Sequence, residues 1–329
     1  MADEKISELT DLSTSGVSVD YVSVVDKSAT TTKRIGLWNL INSIQESGTS
    51  NMHIGRNSGN GASETGKYNL SWGYKTATVI TSGSFNLFRG HLSGSKTTSG
   101  SSNVFSGCFS GKENTTGYNN VFDGAGSGFS NTVGFANVFS GKDSGYTNTT
   151  GYNNVFDGAF SGYSNTTGRW NFFGGHTSGY NNTSGTSNVF NGQGSGSDNT
   201  IGSGNIFSGM GAGGNNVSGC TNIIIGYDID NLTTSTNQYL NIGDAIKGNL
   251  SNAFIGIGSA VTLPTAPLDL DGNSLRIRTA KTPASAVGAA GDKAGMIAWD
   301  NSYIYNCTQT YTAASTGSKR WKRVATATW

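Results

Sequence analysis

The chain has 329 residues, of which 49 are glycine, 34% are hydrophobic and only 12% are charged, and its net charge is +1. A monomeric globule with so few apolar residues buries too little surface to offset its conformational entropy. The near-zero charge argues against nucleic-acid binding, and no apolar run reaches the length of a membrane span. Two classes remain, a disordered chain or a repetitive structure in which stacking replaces a large core.

Residues 1–50 contain no repeat and read as a small α/β docking module. Strands are predicted at 21–25 and 33–35, and an apolar i, i+3, i+4, i+7 pattern predicts one short amphipathic helix. The alternative is a simple cap, because a solenoid must cover its exposed end. The opening MADEKISELT lacks a basic stretch followed by an apolar run, so we expect no signal peptide. The candidate docking residues are Tyr21, Val24, Leu37, Leu40, Ile41 and Ile44.

Residues 51–263 carry an internal repeat of 17 residues. A glycine follows each repeat asparagine by four residues, an apolar residue follows it directly, and a phenylalanine usually comes next. A second glycine series has the same spacing and begins at Gly66. The repeat asparagines are Asn69, Asn86, Asn103, Asn120, Asn137, Asn154, Asn171, Asn188, Asn205 and Asn222.

A repeat of 17 residues with two glycine turns is too short for a helical unit and suits one coil of a parallel β-solenoid. We predict a mainly β fold of about eleven coils, each adding about 4.8 Å to a rod of roughly 50 Å. Asn-Val-Phe is predicted to be one short strand, and Gly-Tyr-Ser-Asn-Thr a second. Both glycine series are expected at corners with positive φ, and the asparagines are expected to bond from coil to coil.

Successive strand residues point to opposite faces, so valine and phenylalanine cannot both fill one thin coil. The outward row is either covered by the chain itself, in a flattened roll, or buried by self-association, most simply threefold. The sequence does not decide which row points outward. The residues predicted to stack or to form a trimer interface are Val104, Phe105, Val121, Phe122, Val138, Phe139, Val155, Phe156, Phe172, Phe173, Val189 and Phe190, with Asn103, Asn120, Asn137 and Asn154.

Residues 227–263 degrade the repeat but retain Asn241-Ile242-Gly243, and all three prolines follow in a break. Residues 264–329 are predicted to form a C-terminal antiparallel β cap, with strands at 274–279, 295–300, 303–308 and 321–326. This module holds eight Lys or Arg against four Asp, with aromatic residues among them. It is either a trimer cap with an aromatic core or a tip that contacts sugars or anionic polymers. The candidate contact residues are Trp299, Tyr303, Tyr305, Arg320, Trp321, Lys322 and Arg323.

The residues resemble a known group of proteins. The segment NTTGYNNVF, 148–156, is similar to repeats in bacteriophage tail fibres and virion appendages, and to the longer-period β-roll of trimeric autotransporter adhesin heads. KISELT at 5–10, YVSVVD at 21–26 and TKRI at 32–35 resemble the N-termini of phage fibre proteins. GDKAGMIAWD at 291–300, YIY at 303–305 and WKRVA at 321–325 resemble a common C-terminal module of marine phage fibres.

The resemblance implies a homotrimer on the virion surface, attached to other virion proteins by its N-terminus and touching a host glycan or protein with its C-terminus. No nucleic-acid partner and no membrane insertion are expected. A capsid decoration or head fibre remains an alternative, and a polysaccharide-degrading tailspike is the rival of a different class.

Chemistry is sparse in the sequence, and we predict neither enzyme activity nor a cofactor. Glycan cleavage needs two carboxylates about 5–10 Å apart, and the candidates are Asp123, Asp143, Asp157 and Asp198. Turn aspartates in solvent are the preferred interpretation, because no supporting acid adjoins them. His91 and Cys108 occupy the same repeat position one coil apart, and a metal shared around a threefold axis is the minor alternative to variable surface residues.

Overall fold

The computed structural model describes residues 21–24, 33–36, 50–59, 64–231, 233–258, 263–264, 268–270, 297–299, 303–307 and 321–325. All regular elements in these residues are β-strands. No helix able to cross a bilayer occurs among them. The chain divides into two units, Met1–Asp271 and Gly272–Trp329.

The first unit begins with a two-stranded antiparallel sheet. Strand β1 spans Tyr21–Val24 and β2 spans Lys33–Gly36, with Tyr21 opposite Gly36. These strands lie where the sequence predicts them. The predicted helix over Leu37 to Ile44 falls outside the described residues.

A parallel β-solenoid makes up most of the first unit, which confirms the predicted fold class. Twelve strands, β3 to β14, pair in chain order with one strand in each coil, so that equivalent repeat positions face each other in successive coils. The strands are Met52–Ile54, Leu70–Trp72, Leu87–Arg89, Val104–Ser106, Val121–Asp123, Val138–Ser140, Val155–Asp157, Phe172–Gly174, Val189–Asn191, Ile206–Ser208, Ile223–Ile225 and Tyr239–Ile242.

Pairing changes where the repeat degrades. Strand β15, Ile246–Asn249, pairs antiparallel with both β14 and β16, Phe254–Ile257, and β17, Leu268–Leu270, then runs parallel to β16. In the second unit, β18 (Ile297–Trp299), β19 (Tyr303–Cys307) and β20 (Trp321–Ala325) form an antiparallel sheet in that order. The last three predicted C-terminal strands are therefore present, and the predicted strand at 274–279 lies outside the described residues.

Each coil contains one strand, of three residues in β3 to β13 and four in β14, so the prediction of a second strand is wrong. The half-coil of Gly-Tyr-Ser-Asn-Thr is a series of turns. Residues just before and within it adopt left-handed backbone angles, for example Phe109 with φ of 61° and Gly111 with φ of 55°. A strand needs extended angles throughout, so these turns end the sheet.

The two glycine series serve different purposes, which corrects the prediction that both occupy left-handed corners. Gly107, after the strand, has φ of 137°. Gly100, from the second series, is not left-handed, and a β-carbon there would collide with the carbonyl oxygen of Gly117 in the next coil. Close approach between coils, rather than backbone angle, therefore requires glycine at the second position.

Candidate functional site

A column of phenylalanines fills the centre of the solenoid. Their rings are fully buried, and rings in successive coils lie 4.7 to 5.1 Å apart. A β-carbon at Gly111 would lie 2.5 Å from the Phe105 ring, so the glycine nine residues into each repeat makes room for the aromatic group. This phenylalanine column comprises Phe88, Phe105, Phe122, Phe139, Phe156, Phe173, Phe190 and Phe207.

The repeat asparagines form the predicted hydrogen-bonded ladder beside this column. The side-chain amide of Asn103 donates to Oδ1 of Asn86 at 3.1 Å and to the carbonyl oxygen of Gly117 at 2.9 Å. Its own Oδ1 accepts from the backbone N–H of Asn120 at 3.0 Å. Each buried amide therefore has partners on both sides, as burial of a polar group requires.

A second asparagine ladder, not predicted from the sequence, runs through the opposite half of the coils from Asn114 to Asn216. Nδ2 of Asn131 donates to Oδ1 of Asn114 at 2.8 Å, and the bond repeats to Asn216. Two buried polar atoms without a partner among the described residues lie at its ends, Oγ1 of Thr97 and Oδ1 of Asn231. The 17-residue spacing of these asparagines was a readable signal in the sequence.

The row next to the phenylalanines points outward. Its nine side chains are 36% to 42% exposed, and no described segment of the chain covers them. The valines of the predicted stacking set all belong to this row, whereas the phenylalanines of that set, except Phe172, are buried. We call this row the aliphatic stripe; it comprises Leu70, Leu87, Val104, Val121, Val138, Val155, Phe172, Val189 and Ile206.

One aromatic residue interrupts the stripe, and a glycine in the same strand leaves space for its larger side chain. Phe172 is the only phenylalanine among the nine, and the outward position two residues later holds a glycine, Gly174, instead of a side chain. A β-carbon at Gly174 would lie 3.2 Å from the Phe172 ring. The ring therefore lies over the glycine and occupies the space that a side chain takes in other coils.

The N-terminal end of the phenylalanine column is polar. Ser71 takes the phenylalanine position in β4, and His53 precedes it in β3. Nδ1 of His53 lies 2.5 Å from Oγ of Ser71, and its Nε2 lies 2.7 Å from Oε2 of Glu64. This array has the residue types of a catalytic triad, but Ser71 is fully buried and its hydroxyl also contacts Ser58 at 2.7 Å. The array therefore acts as a polar cap on the phenylalanine column, and the buried Ser71 hydroxyl does not serve as a nucleophile.

The C-terminal end of the column is polar as well. Tyr239 replaces the ladder asparagine, and Asn241, predicted to continue the repeat, instead takes the phenylalanine position opposite Ile224. Its amide donates to Oδ1 of Asp244 at 3.0 Å. That hydrogen bond, followed by the nearby ammonium of Lys247, outweighs burial and lowers the pKa of the Asp244 carboxyl. Burial, and then the charge of Asp244, raises the pKa of Tyr239 to about 12.

The candidate carboxylates do not form a pair. Asp123 and Asp157 are exposed on strands separated by that of Ser140, while Asp143 lies 3.9 Å from the ammonium of Lys142. Asp198 is exposed at a turn.

His91 and Cys108 do meet, with Nδ1 and Sγ 3.6 Å apart. Across the described residues, no three His, Cys, Asp or Glu side chains come together as a metal site would require.

The predicted docking and tip residues are described only in part. Tyr21 and Val24 lie in β1, whereas Leu37, Leu40, Ile41 and Ile44 lie outside the described residues. The strands of the second unit contain Trp299, Tyr303, Tyr305, Trp321, Lys322 and Arg323, of which only the backbone is described, and Arg320 lies outside.

Aromatic residues also stack on the outside of the solenoid. One column joins Phe129, Tyr146, Tyr163 and Tyr180 at 4.8 to 5.2 Å. Another joins Tyr118, Phe135 and Tyr152 at 5.0 and 4.7 Å and ends at Trp170, whose ring stands edge-on to Tyr152. These outer columns are not part of the 17-residue consensus, because their aromatic residues occupy only a few consecutive repeats.

The stacked coils, the internal ladders and the single strand per coil define the chain as a β-solenoid repeat protein. Comparison with protein families, with curated proteins and with solved structures finds no match to the chain.

Proposed function

We propose that the chain is a non-enzymatic fibre or spike on the surface of a bacteriophage particle, assembled as a homotrimer and attached by its N-terminal residues. The observation that carries the proposal is the aliphatic stripe. It extends about 40 Å along a rod of roughly 50 Å. Contiguous apolar patches of this kind on soluble proteins mark interaction surfaces.

A second copy of the chain is the partner that fits the stripe best. The side chains recur once per coil, so a parallel copy presents the same spacing and every coil makes the same contact. Symmetric assembly about an axis along the rod buries all nine residues at once. The ring of Phe172, lying over Gly174, leaves the outward face more level for such a partner.

The number of copies and the place on the virion come from the resemblance of the repeats and both termini to phage appendages. In this proposal residues 1–50 attach to virion proteins, the solenoid is a stiff spacer, and the C-terminal module with Trp299, Tyr303, Tyr305, Trp321 and the nearby cations faces the host. Ten repeats of hydrogen-bonded coils provide the stiffness. Adhesion and spacing are the mechanism, and no bond is broken.

Two features favour a structural role over glycan cleavage. The hydroxyl of Ser71, the only serine beside a His–Glu pair in the described residues, is fully buried. The exposed carboxylates Asp123 and Asp157 lie two coils apart, which is about 10 Å, and Ser140 holds the equivalent position in the strand between them.

The experiment is immunogold electron microscopy of particles of the phage that encodes the chain, with one antibody to residues 1–20 and one to the solenoid. We expect label for the solenoid on thin projections and label for the N-terminus at their particle-proximal end. Particles without label, or release of reducing sugar from host envelope glycans by the purified protein, would overturn the proposal.

A further inference from the structure

One exposed tryptophan stands apart from the regular surface of the solenoid. Trp170 is 51% exposed and has φ of 57°. Left-handed angles cost a bulky residue about 1–2 kcal/mol and suit asparagine or glycine better. The equivalent residues in neighbouring coils share this angle but are small: Ser102, Asn119, Ala136, Asn153 and Ser187. Strain without burial at one position is a reason to look for a ligand.

The other aromatic residues at this repeat position have a structural reason that Trp170 lacks. Tyr68 and Phe85 occupy successive coils and stack on each other at 5.1 Å. The coils on either side of Trp170 carry Asn153 and Ser187, so its ring has no equivalent stacking partner.

Two neighbours hold the Trp170 ring in place. The guanidinium carbon of Arg169 lies 4.8 Å from the centroid of Trp170 and 5.6 Å from that of Tyr152. Tyr152 stands edge-on to Trp170 at 5.7 Å and is itself stacked on Phe135 at 4.7 Å. The tryptophan and the cation are therefore preorganised at the end of a rigid aromatic column. We call Tyr152, Arg169 and Trp170 the aromatic–arginine cluster.

Small residues, three of them with hydroxyl groups, follow the cluster in the next two coils. Thr186 and Ser187 come first, then Ser203 and Gly204, and the hydroxyls of Thr186 and Ser203 lie 3.4 Å apart. Because these side chains are short, the bulky cluster stands above the surface that follows it. A ring-shaped molecule placed against Trp170 would find hydroxyl groups beneath it.

The charge of the cluster is not neutralised within the described residues. Arg169 forms no ion pair there. Asp157 is the only acidic residue from 144 to 197, and it lies in strand β9. A guanidinium beside an aromatic ring thus remains available to a carboxylate or a sulfate.

We infer that the aromatic–arginine cluster binds an acidic sugar residue of a cell-surface polysaccharide. The Trp170 ring would pack against the apolar face of the sugar, Arg169 would pair with its anionic group, and the hydroxyls of Thr186 and Ser187 would bond to its ring hydroxyls. The site lies on the solenoid itself, and it rests on the proposed function only in taking the polymer to be on a host surface.

The test is a glycan array that pairs acidic sugars (uronic, sialic and sulfated) with their neutral counterparts, followed by titration of the best ligand. The full chain and three variants are compared. Trp170→Asn restores the residue of neighbouring coils, Arg169→Ser restores the serine found at 101 and 203, and Trp72→Asn is the control because Trp72 is also exposed, at 58%.

We expect retention of at least one acidic class by the wild type and by Trp72→Asn, with affinity about tenfold lower in Trp170→Asn. Arg169→Ser should bind the acidic and neutral members of the pair equally. An array without acidic binders, or unchanged affinity in Trp170→Asn, overturns the inference. A single-chain protein that binds acidic sugars would refute the trimer alone, and a trimer that binds none would refute this site alone.

Discussion

The rings of Phe156 and Phe173 lie 4.8 Å apart, with 5° between their planes. That separation equals the spacing of neighbouring strands, so the rings continue the register of the backbone. Phe172, which precedes Phe173 in the same strand, points outward instead and is 41% exposed. Two adjacent phenylalanines therefore have different roles, one in the core and one on the aliphatic stripe.

These two residues give a matched test of the core. Phe173→Ala should lower the free energy of unfolding by about 3–5 kcal/mol, because it leaves a cavity in the phenylalanine column. Phe172→Val, which installs the usual residue of the stripe, should change it by less than about 1 kcal/mol. Chemical denaturation followed by circular dichroism measures both. Equal losses would show that the column is not the core.

The paired asparagines Asn153 and Asn154 test the first ladder. Asn154 is buried and donates to Oδ1 of Asn137 and the carbonyl of Gly168, whereas Asn153 is exposed. Asn154→Asp places a carboxylate against two acceptors and should cost more than about 3 kcal/mol at neutral pH. Asn153→Asp should be nearly neutral.

The loss of stability caused by Asn154→Asp should increase as the pH rises. Burial among acceptors raises the pKa of the new carboxyl above the unfolded value of about 3.9. Stability is therefore retained below about pH 4 and lost as the pH rises through the folded pKa. A loss that is the same at pH 3 and pH 7 would contradict the ladder.

The second ladder can be extended by one coil. Oγ1 of Thr97 is buried, has no hydrogen-bond partner among the described residues, and lies one coil before Asn114. Thr97→Asn should add a side-chain hydrogen bond and raise the free energy of unfolding by about 1 kcal/mol. Thr116→Asn, at an exposed position, serves as the control and should stay within about 0.5 kcal/mol of the wild type. A destabilised Thr97→Asn variant would show that the end of the ladder cannot accept another amide.

The C-terminal end of the solenoid should be sensitive to alkali. Burial raises the pKa of Tyr239 from its usual value of 10.0 to about 12 in the folded chain, so the unfolded chain loses this proton first. The contribution of Tyr239 to the free energy of unfolding is therefore complete below pH 10 and declines as the pH rises toward 12. Tyr239→Phe should remove this part of the alkaline decline, while Tyr227→Phe, at a 70% exposed residue, should not. Thermal melts across that range make the comparison, and identical profiles would refute it.

The solenoid was predictable because the same residue types recur at intervals of 17 residues. Asparagine at 103, 120 and 137 fixes both the coil length and the ladder. Which apolar row faces inward was not predictable, because valine and phenylalanine both suit a buried position. The Phe105 ring fits inside the coil because Gly111 has a left-handed backbone angle and no β-carbon. The contact between these two residues can be seen only in the folded coil.

Two errors came from reading local patterns as strands and as repeats. Gly-Tyr-Ser-Asn-Thr has residues common in strands, but left-handed angles at Phe109 and Gly111 make that half of the coil a set of turns. Asn241 looks like another repeat asparagine, yet it lies two residues after the ladder position, which Tyr239 occupies. The Trp170 cluster is not predictable from the repeat, because its residues occur together in only one coil.

Association of copies of the chain through the aliphatic stripe can be measured by sedimentation equilibrium. Val138 lies on the stripe at 40% exposure, and Val133 lies off it at 45%. We expect a mass of three times 34.1 kDa for the wild type and for Val133→Asp, and a single-chain mass for Val138→Asp, in which like charges meet at the interface. A wild-type protein that remains a stable single chain of 34.1 kDa would refute association through the aliphatic stripe.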